Sequence, residues 1–109
     1  MRLVIDNADL QLLSAQPTGA LSKEQQERKQ ALFAILVALF ERAYVLVYED
    51  DMGRQQARLW QSWADYMHEW CAREDFRAAL PGLLHGEDPG FVATIRRIAY
   101  TAAQRRPAQ

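Results

Sequence analysis

Residues 31–48 read ALFAILVALFERAYVLVY; sixteen of the eighteen are apolar or aromatic, and only Glu41 and Arg42 interrupt them. The rest of the chain is read as what covers this stretch. At about 100° per residue on a helix, Leu32, Leu36, Leu39, Phe40, Ala43, Leu46 and Val47 share one face. Phe33, Ile35, Val37, Tyr44 and Tyr48 widen that face well past an ordinary apolar stripe, while Ala34, Ala38, Glu41 and Val45 lie behind it. A helix that is apolar nearly all round is either buried on several sides or sits in a membrane. A bilayer span needs about 20 apolar residues with few charges. This run is shorter, holds an acid and a base in its middle, and continues into polar helix. The stretch therefore predicts the central buried helix of an all-α domain.

Toward the N-terminus, Ser22-Lys23-Glu24-Gln25 fits a capping box, with Ser22 and Gln25 each satisfying the other's backbone N–H. The turns from Lys23 to Gln30 are polar on every side. From Ser22 to about Glu49 such a helix runs roughly 40 Å, long for a small domain, which implies a protruding end or a partner along it. Residues 1–21 read as a lead-in. Asn7 or Asp9 caps a short helix through Leu13, Pro17-Thr18-Gly19 ends it as a loop, and Leu10, Leu12 and Leu13 pack on the main helices.

Toward the C-terminus, Glu49-Asp50-Asp51-Met52-Gly53 breaks the pattern, and its acids suit the dipole of the next helix. That helix, about Arg54 to Arg73, is cleanly amphipathic. Leu59, Trp60, Trp63, Tyr66, Met67 and Trp70 make one face; Arg58, Gln61, Ser62, Asp65 and Glu69 make the other, with Glu69 and Arg73 as an i,i+4 pair. A shorter segment opens at Glu74, turns Phe76, Ala79 and Leu80 inward, and is ended or kinked by Pro81-Gly82. After a loop at His85-Gly86-Glu87, Asp88 as N-cap and Pro89 at the first helical position start the last helix. It buries Phe91, Ile95, Ile98 and Ala102, sets Arg96, Arg97, Tyr100 and Gln104 opposite, and frays over residues 105–109. The expected architecture is a single domain, 1–109, an all-α small helical bundle of three major helices plus short accessory helices.

Half the residues are apolar and a quarter charged, ordinary for a globular chain. A net charge of −1 selects no charged partner. The lone cysteine, Cys71, excludes an internal disulfide. With an N-terminus that lacks the apolar region of a signal peptide, it points to a reducing, cytoplasmic compartment.

Three stretches carry a resemblance: FERAYVLVYED (40–50), WQSWADYMHEWCAREDFRAALPGL (60–83) and EDPGFVATI (87–95). Together they cover about half the chain. They resemble a helical domain found in many uncharacterised bacterial proteins, whose pattern runs roughly ERAYLL, then WxxWxxY, then FRxxWP, then DPxFV. Leu80 stands where an aromatic is common before the proline. Many relatives carry N-terminal transmembrane helices, and no such helix is read in this chain. The resemblance is one of packing residues and helix caps, so it implies a fold and brings no catalytic residue with it.

The sequence holds no nucleophile–base pair, glycine phosphate loop or dinucleotide fingerprint; catalytic residues, cofactors and metals are therefore left unassigned. His68 and Cys71 are three apart but have no HExxH or CxxC beside them, and read as a surface histidine and a buried thiol. Glu41 and Arg42 leave the core at its edges, Arg42 by snorkelling or by bridging to an acid on another helix. Asp65 and Glu69 read as ordinary solvated acids.

Two surfaces are candidates for binding. Arg96, Arg97 and Tyr100 form an exposed patch on the last helix, where the Arg96 guanidinium can reach the ring. They belong to a basic strip with Arg105 and Arg106, yet without net positive charge or a reading motif nucleic acid is not the expected partner. Trp60, Trp63, Tyr66 and Trp70 recur at the spacing of a helix–helix seam, with Trp63 and Trp70 buried on the central helix; the alternative is an aromatic pocket between the two.

The functional expectation is a non-enzymatic protein-interaction or regulatory module. Its partners include a second copy, in a homodimer built on residues 31–48, because the side holding Ala34, Ala38 and Val45 has no evident cover. The competing account has the N-terminal segment fill that side. The alternative function is a small-ligand or cofactor-binding helical domain that uses the aromatic pocket.

Overall fold

A computed structural model describes residues 21–105 of the chain. The readings of the lead-in up to residue 20 and of the tail from 106 lie outside the described residues. These comprise four helices: α1 (Lys23–Val47), α2 (Arg54–Cys71), α3 (Glu74–Leu83) and α4 (Pro89–Gln104). No strand occurs among the described residues, and the protein is all-α.

Local chemistry sets most of the boundaries. The capping box at the start of α1 is formed. Ser22 Oγ accepts from the Gln25 N–H at 3.1 Å, and Gln25 Oε1 accepts from the Ser22 N–H at 2.9 Å. The helix ends where Tyr48 turns extended, and the Gln56 side-chain amide donates to the Val47 carbonyl, which the helix end leaves without an intrahelical partner. The acids Glu49, Asp50 and Asp51 stay in the linker instead of capping α2, whose N-cap is Gly53. Asp50 instead accepts from the Tyr48 hydroxyl at 3.3 Å. Gly86 takes a positive φ of 79° in the turn before α4, a conformation glycine adopts without strain. Asp88 then accepts from the Phe91 N–H at 3.0 Å, with Pro89 in the first turn, as the sequence predicts.

Two boundaries differ from expectation. α2 stops at Cys71, so Arg73 is not one helical turn from Glu69 and the expected pairing geometry ends with the helix. Arg73 becomes the N-cap residue of α3 and turns its buried guanidinium onto Asp75, at 2.9 Å from Nε and 2.8 Å from Nη2. Arg77 reaches back to the Cys71 and Ala72 carbonyls at 2.9 and 3.1 Å, satisfying acceptors that a helix end leaves open. The other difference is Pro81. It neither ends nor replaces the last turn of α3, which runs on to Leu83 and closes with Leu84 N–H on the Leu80 carbonyl. So near a helix C-terminus, a proline removes a single bond and leaves few residues to displace.

The core lies between α1 and the other three helices. Phe33 meets Trp70 and Phe76 edge-on, at centroid distances of 6.2 and 5.2 Å, joining α1 to α2 and α3. Phe40 meets Trp63 at 6.5 Å, and Tyr44 meets Phe91 of α4 at 6.1 Å. Edge-on aromatic contacts of this kind add about 0.5–1.5 kcal/mol beyond the area they bury. The inward face of α1 is thus Leu32, Phe33, Leu36, Val37, Phe40 and Ala43. Leu39 and Leu46, expected inward, point to solvent. The arc is centred on the phenylalanines because those are the side chains the aromatic residues of α2, α3 and α4 meet.

Candidate functional site

The tryptophan face of α2 divides into three contacts along α1. Trp70 is buried between Phe33 and Phe76. Trp63 is half-buried against Phe40 and Tyr66, and Tyr66 itself is exposed. Trp60 is half-buried and meets Tyr44 and Tyr48 at 5.7 and 5.3 Å. These four residues therefore do not converge on one point. Each tryptophan is matched by an aromatic residue of α1, whereas Tyr66 meets Trp63 of its own helix, and the expectation for Trp70 holds more fully than that for Trp63.

Beyond Trp60 the contact continues as a small aromatic group. Tyr44 and Tyr48 stack at 4.9 Å with ring planes 12° apart. The group closes against α4 because Gly90 lacks a Cβ: one placed there would lie 2.6 Å from the Tyr44 hydroxyl oxygen. The charge of Asp50, with burial and its hydrogen bond, holds the Tyr48 phenol above its usual value of 10.0.

Polar ties pin the rim of this interior. Lys29 of α1 donates to Asp75 at 3.1 Å, on the same carboxylate that Arg73 grips. Burial pushes the Asp75 carboxyl up, but the hydrogen bonds and charges of Arg73 and Lys29 outweigh it and hold the group below its usual 3.8. Glu41 is not a loose edge charge: its Oε2 accepts from the Asp88 N–H at 2.7 Å, tying α1 to the start of α4. Its hydrogen bond with Glu87 raises the Glu87 carboxyl above 4.5, with burial and the Glu41 charge adding to the effect. Sequence spacing gave no signal for this tie, because its partners are 46 and 47 positions apart. Arg42, the neighbouring charge, is exposed.

Cys71 is fully buried and its thiol is pushed up to about 12 by burial, against a smaller opposing effect of Arg77. It is protonated at neutral pH and so a poor nucleophile. Among the described residues no cluster of three or more His, Cys, Asp or Glu could hold a metal.

The outer surface is where unspent apolar area lies. On α1, Ile35, Leu39, Val45 and Leu46 are 49, 41, 58 and 75% exposed, and Ala31, Ala34 and Ala38 are exposed among them. By length and composition α1 is also apolar enough to cross a bilayer, although a third of that window is buried inside the fold. On α4, Arg96 and Arg97 are exposed and Tyr100 is 69% exposed. Among the described residues the cation–π contacts are Lys29 over Phe33 and Arg73 over Trp70; Arg96 and Tyr100 stand side by side without one. No protein-family model, curated protein or solved structure matches the chain.

Proposed function

We propose that the chain is a non-enzymatic protein-interaction module whose docking surface is the outer face of α1, with Arg96, Arg97 and Tyr100 as a secondary contact. In this reading three major helices form the body, Glu74–Leu83 is accessory, and the protein works in a reducing, cytoplasmic setting. The observation that carries it is the solvent exposure of Ile35, Leu39, Val45 and Leu46 on a helix whose opposite face is filled. Contiguous exposed apolar patches on a folded domain mark interaction sites more often than they mark nothing. Tyr100 beside two arginines has the composition of an interface hot spot. The small-ligand reading is the weaker one, because Trp60, Trp63 and Trp70 have their edges occupied by aromatic residues of α1 and α3.

The test is affinity capture from the native host with wild-type protein and with I35E/L46E. A partner retained by the wild type and lost by the variant, with an unchanged far-UV spectrum, supports the reading. Equal recovery of every bound protein by both would remove it.

A further inference from the structure

The charges that border the exposed strip of α1 say what kind of partner fits it. Glu24, Arg28, Ala31, Ile35, Ala38, Arg42 and Val45 follow one another in alternating steps of four and three residues, the 3.5-residue repeat of a helix that pairs along its length with another. All but Arg28 are exposed; Arg28 is half-buried and engaged within its own chain. Glu27, also exposed, flanks the strip at its N-terminal end. With Arg28 engaged within its own chain, the exposed charges of the strip are acidic at Glu24 and Glu27 and basic at Arg42, with apolar residues between.

We infer that the partner is a second copy of this chain, paired antiparallel along α1 with Arg42 of each copy beside Glu24 and Glu27 of the other. This rests on the docking reading above. A parallel two-fold pair would set Arg42 against Arg42 and Glu24 against Glu24, because each residue then faces itself. Antiparallel pairing replaces both repulsions with attractions. The register that brings Arg42 beside Glu27 sets Ala31 against Ala38, small against small, and places the two-fold axis between Ala34 and Ile35. Helices approach within about 8–10 Å when contact residues allow it. An interface of one helix face is at the small end for a stable dimer, so the pairing is concentration-dependent.

Light scattering on the full chain from about 5 to 500 µM tests it with four samples. Wild type shifts from the mass of one chain to that of two. R42E alone and E24R/E27R alone each weaken the dimer about tenfold, since symmetry makes every exposed ion pair count twice. An equimolar mixture of the two variants regains dimer as a heterodimer, because both contacts are then complementary. Orientation is read by mild oxidation: A31C mixed with A38C cross-links, whereas A38C alone does not. Cys71, fully buried, does not compete.

A one-chain mass at every concentration overturns the inference, and so does a mixture that stays monomeric or a disulfide from A38C alone. A monomer whose I35E/L46E variant still loses a foreign partner overturns the pairing and leaves the docking reading standing.

Discussion

The two faces of α1 are built from the same kinds of residue and do opposite things. Inward, Phe33, Val37 and Phe40 are essentially without solvent contact, each met by side chains from another helix. Outward, Ile35, Leu39 and Leu46 are equally apolar and stand in water. Apolarity alone did not choose between them. The inward side was chosen by where the aromatic side chains of α2, α3 and α4 could reach, and the outward side is what remains after those helices are placed.

The sharpest way to break this comparison is truncation on both faces. F33A or F40A should destabilise by about 3–5 kcal/mol, a large part of a total stability of about 5–15 kcal/mol. L46S or I35S, measured by urea midpoint at a concentration where the chain is monomeric, should change stability by no more than about 0.5 kcal/mol. Equal losses on the two faces would mean that the outer face is covered within the monomer.

A smaller effect tests how the inward face is anchored at Lys29. D75N keeps the shape but removes the charge that Lys29 and Arg73 share, for an expected loss of about 2 kcal/mol at pH 7. The Asp75 carboxyl is held below its usual 3.8, so its contribution is present above that value and lost as pH falls through the folded one. Wild type and D75N should therefore converge in acid. A gap that persists in full at pH 2 would show that the loss is one of shape and not of charge.

Gly90 sharpens the comparison at the other end of α1, where the inward face is closed by the Tyr44 ring. G90A gains about 1 kcal/mol in helix propensity, yet its new Cβ meets the hydroxyl of the Tyr44 ring, which packs against Tyr48, Trp60 and Phe91. Overpacking of this kind destabilises by about 1–3 kcal/mol, so a net loss near 1 kcal/mol is expected. Y44F/G90A should recover most of it in a double-mutant cycle. Full additivity of the two substitutions would show that the ring simply moves aside.

The smallest effect lies on the border between the faces, at Glu41. Because the Glu87 carboxyl is raised above 4.5, the folded state holds its proton more tightly than the unfolded chain. The resulting stability is present below 4.5 and declines as pH rises through the raised value. E87Q removes that decline and leaves the Glu41–Asp88 tie in place. At pH 7 it should stabilise slightly, by no more than about 0.5 kcal/mol. A steeper loss of stability with pH in E87Q than in wild type would contradict the assignment.

Much of this was legible in residue order because it is local. The Ser22 box and the Asp88-Pro89 start are settled within four residues of backbone, so composition at fixed spacing suffices to read them. The core positions Phe76, Leu80, Phe91, Ile95 and Ile98 follow from helical periodicity alone. Less legible were features that need two helices at once. Helical spacing pairs Arg73 with Glu69, but the helix ends at Cys71, where the chain turns, and Arg73 grips Asp75 instead. Spacing makes Glu41 an edge charge, and its partner lies on a turn almost half a chain away. Of the candidate surface residues, Arg96, Arg97 and Tyr100 stand exposed as their face of the helix implied, while the tryptophan stripe could not reveal how its members would be shared along α1.

By itself, then, the sequence determined that the protein is helical, where most helices start, and that residues 31–48 form the most apolar of them. Those properties depend on dihedral preference, capping and periodicity, which act within a few residues. Which half of that helix is buried, which charges meet, and which apolar side chains stay in solvent were decided only by the tertiary structure. The reason is geometric: a 25-residue helix offers its whole circumference to packing. The lengths and placements of the other helices settle how much of that circumference is covered.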